Sequence, residues 1–169
     1  GPWLGVYHIS NGVAVMYAYI GLSVGDLVSG FLSQLLKSRK KVVQLYLGFT
    51  LVCVISFLLL HAYNITENTY YFLCFLLGTG TGYWAIFVTI AAEQFGTNIR
   101  STAANTIPNL VRGSVNIVVL FFGLLVSAGI NDGVSAMIVG LAFIALAFYS
   151  ISKLKETFGK DLNYFDETL

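Results

Sequence analysis

The sequence predicts an all-α integral membrane protein with five transmembrane helices, and three observations carry that prediction. Of the 169 residues, 57% are hydrophobic and 10% charged, with a mean hydropathy of +0.79, whereas soluble domains carry about 25% charged residues. Five apolar runs each approach the ~20 residues that cross ~30 Å of hydrocarbon as a helix. The cations sit beside alternate ends of those runs, as the positive-inside rule requires. A closed β-barrel would show shorter strands with strict alternation, and the runs lack it.

Residues Gly1–Gly12 are aromatic and glycine-rich without a basic residue and read as an extracytoplasmic loop or the end of a missing helix. Trp3 and Tyr7 suit a membrane interface. The five-helix membrane domain follows over residues 13–152. Its first helix is expected at Val13–Leu36, the second at Val42–Tyr63, the third at Tyr70–Ala92, the fourth at Ala103–Ala128 and the fifth at Val134–Ser152. Pro108 falls in the first turns of the fourth helix and predicts a kink. Residues 153–169 form a charged tail.

Orientation follows from Lys37, Arg39, Lys40 and Lys41 after the first helix, Arg100 before the fourth, and Lys153, Lys155 and Lys160 after the fifth. All fall on one side of a five-span chain, and the opposite loops have no Lys or Arg. The basic side, with the C-terminus, is therefore expected in the cytoplasm. That parity puts the first residues outside and predicts one further span ahead of Val13.

Polar residues inside the spans are arranged in stripes. Tyr19, Ser23, Asp26, Gly30, Ser33 and Lys37 share a face of the first helix, and Asn105, Asn109, Arg112 and Asn116 share a face of the fourth. Asp26 precedes Lys37 by eleven residues, which places it about 16 Å from the inner boundary. Arg112 follows Arg100 by twelve residues, about 18 Å by the same rise. A charge at that depth costs from ~2.5 to more than 10 kcal/mol against lipid, so both must face a cavity, each other, or an absent part. The second and fifth helices are apolar nearly all round and are expected to face lipid. The third carries Gly78, Gly80 and Gly82 with Thr79, Thr81, Tyr83 and Trp84. Despite its G-x-G look, that stretch follows no strand and reads as close helix packing, as does the Gly21/Gly25 pair. The order polar, apolar, small, polar, apolar looks like a three-helix repeat lacking its first member, an arrangement typical of secondary transporters.

Other chemistry is sparse. Cys53 and Cys74 are too few for a disulfide framework and read as packing residues. His8 and His61 lie in outer loops without metal-ligating company, and Asn64-Ile65-Thr66 fits a glycosylation sequon. No Ser/His/Asp, HExxH or CxxC arrangement occurs, so neither an enzyme nor a cofactor is expected.

Three stretches together carry a resemblance. Gly30-Phe31-Leu32-Ser33-Gln34 with Ser38-Arg39-Lys40-Lys41 is similar to a G-x-L-S-D…G-R-R loop. Ala92-Glu93-Gln94-Phe95-Gly96-Thr97-Asn98-Ile99-Arg100-Ser101-Thr102-Ala103 is similar to A-E-x-F-P/G-T-x-x-R-x-x-A, the most specific of the three. Leu154-Lys155-Glu156-Thr157-Phe158-Gly159-Lys160-Asp161-Leu162 is similar to P-E-T-x-G-x-x-L. The chain thus resembles the C-terminal half of a major facilitator superfamily transporter, closest to the sugar-porter and metabolite–proton symporter branches. It departs from the pattern at Gln34, where the family has Asp, at Ser38, which replaces Gly, at Lys155, which replaces Pro, and by one extra loop residue.

The resemblance implies that the five spans are the last five of a twelve-helix major facilitator fold, with two six-helix halves rocking around a central site. It implies a gating set of Glu93, Arg100, Gln34, Arg39 and Lys40. The substrate and proton-coupling candidates are Asp26, Arg112, Asn109, Asn116, Tyr83 and Trp84. The expected function is secondary active transport of a small polar metabolite, coupled to protons, in a bacterial inner membrane or plasma membrane. The expected partners are the substrate, protons, the lipid bilayer and the missing N-terminal half, with no nucleic acid and no metal. The alternatives are a proton-antiport exporter and a non-transporting membrane sensor or scaffold that reuses the fold.

Overall fold

The structure, a computed structural model, describes residues 9–60 and 65–161. Trp3, Tyr7, His8, His61, Asn64 of the sequon and Leu162 of the tail motif lie outside the described residues. Those described form six helical segments and no strand: α1 (Asn11–Leu36), α2 (Arg39–Leu59), α3 (Glu67–Thr81), α4 (Trp84–Glu93), α5 (Arg100–Ser127) and α6 (Asp132–Lys153). With α3 and α4 taken as one span over Glu67–Glu93, five stretches are long and apolar enough to cross a membrane. The described residues are therefore all-α in class and consistent with an integral membrane protein.

The third span departs from expectation. In place of one helix, α3 ends at Thr81 and α4 begins at Trp84, with Gly82 and Tyr83 outside either helix. Thr79 and Thr81 turn their hydroxyls onto carbonyls of the preceding turn, Phe75 O at 3.0 Å and Gly78 O at 2.9 Å. Such back-bonding weakens the helical ladder, and Gly82 closes α3 by donating its N–H to Thr79 O at 3.0 Å. The start of α3 also differs: with Thr66 as its cap, α3 begins at Glu67, three residues before the expected start at Tyr70.

The described residues cluster into two compact units. Those up to Leu36 and from Lys41 to Ala85 form the first, and Lys37–Lys40 with those from Ile86 onward form the second. In the first unit, α1 and α3 meet backbone to backbone. A Cβ at Gly25 would lie 2.8 Å from Gly82 Cα, one at Gly21 would lie 3.0 Å from Thr79 N, and one at Gly78 would lie 3.0 Å from Ala18 Cα. Small residues permit this approach in a membrane, where van der Waals contact and not the hydrophobic effect drives helix association.

On α2, Val42, Val43, Tyr46, Leu47 and Cys53 are buried, while Leu45, Phe49, Val52, Ile55 and Leu59 are exposed. Its uniform apolarity therefore conceals two faces, one buried and one exposed. Hydropathy alone does not separate the two, because Val and Leu occur on both.

In the second unit, α5 and α6 are joined by a turn in which Gly129 has φ of 85°. Asn131 caps α6 by accepting from Gly133 N–H at 2.8 Å. Along α5 the only buried residue is Pro108. That proline withholds a hydrogen bond from the turn before it, and α5 runs unbroken past it.

Candidate functional site

The first candidate region is the break in the third span. The carboxylate of Asp26 accepts a hydrogen bond from the Ala85 N–H at 3.3 Å. Ala85 is the second residue of α4, so the acid faces the positive end of that helix and one of its intrahelically unsatisfied amides. The in-span acid thus has a partner within its own unit. Backbone contact of Gly25 with Gly82 sets the register, since Asp26 follows Gly25 directly.

Tyr46 closes the same region from α2. Its hydroxyl donates to Gly25 O at 2.8 Å, and its ring meets that of Tyr83 edge-on at 6.1 Å. Next to them Thr50 donates to Gly80 O at 2.8 Å. Tyr83 is therefore engaged in aromatic packing, and Trp84 is half-buried at the first position of α4.

The α5 stripe lies in the second unit and is exposed at Asn105, Asn109, Arg112 and Asn116. Its side chains bond along their own helix. Asn105 Nδ2 donates to Ser101 O at 3.0 Å, Asn109 Nδ2 to Asn105 O at 3.0 Å, and Arg112 Nη1 to Asn109 Oδ1 at 3.4 Å. The result is a polar strip of amide and guanidinium groups on an otherwise apolar helix.

The third region joins the start of α2 to the tail after α6. Arg39, Lys40 and Lys41 fall inside the first turn of α2 and not in a loop between helices, which corrects the placement expected from sequence. Three cations at the positive end of a helix dipole are unfavourable unless anions meet them. Two acids do so. Glu93, 6% exposed at the end of α4, receives Arg39 Nη2 at 2.8 Å. Glu156 caps α2 from the tail: its carboxylate accepts from the Arg39 N–H at 3.1 Å, the Lys40 N–H at 3.4 Å and the Ser38 hydroxyl. Its own Thr157 and Phe158 N–H groups complete the cradle at 3.0 and 3.1 Å.

Burial pushes the Glu156 carboxyl up, but the hydrogen bonds from Ser38 and from the Phe158, Arg39 and Thr157 amides outweigh it. They hold the group below the ordinary glutamate range.

The exchange is reciprocal. Lys40 Nζ reaches the C-terminal end of α6 and donates to Ser152 O at 2.6 Å and Leu154 O at 3.0 Å. A cation thus meets the negative end of α6 while an anion meets the positive end of α2. Gln94 adds a bond to Lys155 O at 3.1 Å.

Of the expected gating residues, Arg39, Lys40 and Glu93 meet here. Arg100 folds back over its own loop, with Nε and Nη2 donating to Phe95 O at 3.3 and 3.2 Å. Gln34 is exposed near the end of α1. Ser38 and Glu156 were missing from the expected set. The signal for them was the charge imbalance at the start of α2, which calls for an acid from elsewhere in the chain.

Among the described residues no group of three or more His, Cys, Asp or Glu side chains converges to hold a metal ion. No family model, curated protein or solved structure matches this chain.

Proposed function

We propose that this chain is the C-terminal part of a secondary active transporter of major facilitator type, moving a small polar metabolite by alternating access with proton coupling. The observation that carries the reading is the broken third span with Asp26 on the N-terminal amide of α4. Discontinuous spans whose half-helix ends meet charged groups near the midplane are a recurring device of transporter sites. A scaffold gains nothing from an acid at that depth, which is expensive to keep in hydrocarbon.

In this reading Asp26 takes up and releases the proton, and its hold on α4 changes with it. Ionised, it is drawn to the positive end of α4; neutral, it is held less strongly. The exposed Asn109, Arg112 and Asn116 face of α5 then belongs to the substrate cavity that the remainder of the transporter closes. The guanidinium of Arg112 suits a carboxylate or phosphate on the substrate. Glu93, Arg39, Lys40 and Glu156 hold the cytoplasmic ends, placed inside by the positive-inside rule.

Asp26→Asn tests the coupling directly. The amide oxygen can still accept from Ala85, so the fold is retained while titration is removed. In vesicles containing the full-length protein, proton-driven accumulation of labelled metabolites is expected to fall to the level without a gradient, while exchange across the membrane persists. Undiminished accumulation would remove Asp26 from coupling. Binding without flux in the unsubstituted protein would favour the sensor reading instead.

A further inference from the structure

Tyr46 is buried on α2. A phenylalanine would fill the same space with no polar atom to satisfy. The Tyr46 hydroxyl donates to Gly25 O at 2.8 Å, and that carbonyl belongs to the peptide bond that carries Asp26. The Tyr46 ring lies edge-on to Tyr83, centroids 6.1 Å apart, in the gap between α3 and α4. Tyr46 therefore touches both sides of the contact between the Asp26 carboxylate and the Ala85 N–H. One side is the turn that carries the acid, and the other is the break that presents the amide.

That contact depends on alignment. At 3.3 Å it lies just past the usual range of about 2.7–3.2 Å, so a small further shift would lose it. Gly25 and Gly82 meet as bare backbone, a contact that resists overlap and barely resists separation. Two hydroxyls of α2, one turn apart, resist separation instead. Tyr46 holds α1 at Gly25 O, and Thr50 holds α3 at Gly80 O, each at 2.8 Å. α2 thus clamps α1 to α3 beside the glycine contact, and Tyr46 is the end of the clamp next to the acid.

We propose that Tyr46 is a positioning residue for Asp26, holding its carboxylate in register with the first amides of α4. The inference rests on the reading of Asp26 as the coupling acid, and it names the group that keeps the acid where its charge can act on α4.

The test uses the full-length protein in neutral detergent and reads hydrogen–deuterium exchange at the Ala85 amide by NMR. Tyr46→Phe keeps the ring and removes the hydroxyl. It is expected to speed Ala85 exchange about fivefold, the ratio equivalent to the ~1 kcal/mol net worth of one hydrogen bond. Tyr70→Phe, the same change beside Phe57 on α3, should leave that rate unaltered. Asp26→Ala should speed exchange by at least as much as Tyr46→Phe. Tyr46→Phe added to Asp26→Ala should then contribute nothing further, because Tyr46 acts through Asp26. An unchanged Ala85 rate in Tyr46→Phe or in Asp26→Ala overturns the proposal. So does equal acceleration by Tyr46→Phe with and without Asp26, which would mark a general packing residue. The coupling reading is tested apart, by accumulation in Asp26→Asn vesicles. Undiminished accumulation with the expected exchange pattern refutes proton coupling alone. Accumulation that requires Asp26 without that exchange pattern refutes the positioning role alone.

Discussion

Gly21, Gly25, Gly78 and Gly82 leave no room for a Cβ, whereas Gly113 and Gly123 on α5 and Gly140 on α6 have open space where one would stand. The same residue type thus supports two ways of building with membrane helices. In the first unit, α1 and α3 are joined along their length by bare backbone, and side chains matter by their absence. In the second, the outer surfaces of α5 and α6 are largely exposed, and polar groups fasten the helix ends: Asn131 at one end, Lys40 and Glu156 at the other. One unit is held by its middle and the other by its termini.

The largest expected effect comes from filling the bare contact. Gly25→Ala sets a methyl against Thr79 and Gly82 backbone, neither of which is a flexible side chain, so the helices must separate. A loss of about 3 kcal/mol, the upper end for overpacking, is expected in reversible unfolding in mixed micelles. An unchanged midpoint would show that the α1–α3 approach is looser than described.

A smaller effect is expected at the fastened ends. The Glu156 carboxyl is held below its ordinary range, so its contribution is complete above the ordinary glutamate value and is lost as pH falls through the lowered folded value. Glu156 is exposed, and solvent screening limits the effect to ~1 kcal/mol. Thermal unfolding followed from neutral to acid pH should show a steeper decline in the native protein than in Glu156→Gln. Identical acid limbs would remove Glu156 from the fastening.

The smallest effect is expected at Gly123→Ala. With nothing near its Cβ, the change should be neutral, or stabilising by up to ~1 kcal/mol through helix propensity. A clear loss would mean that α5 packs closely there in the assembled protein, and would draw the two units together in character.

Much of this architecture could be read from the sequence. Five spans followed from hydropathy; each starts two or three residues before its expected position, and the four expected ends among the described residues fall within one residue, Tyr63 lying outside them. Gly21 and Gly25 were legible as a packing pair because spacing by four suffices to put them on one face. The break at Gly82–Tyr83 was not, since the Gly-Thr alternation that weakens α3 is also what close packing looks like. The two faces of α2 were hidden for the reason that lipid and protein interior select the same side chains. The Glu156 cap was hidden by distance, because it joins groups 116 and 117 residues apart and no local pattern names the partner.

That separation has a consequence in time. Ribosomes add about 5–20 residues per second, so Glu156 is made roughly 6–23 seconds after Lys40 is added to the chain. Throughout that interval the first turn of α2 carries its cations without the carboxylate that later caps it. The amides and cations of that turn therefore wait for an anion that lies far along the chain. The clasp between the start of α2 and the tail is thus a late contact, closed only when nearly all of the described chain has been made.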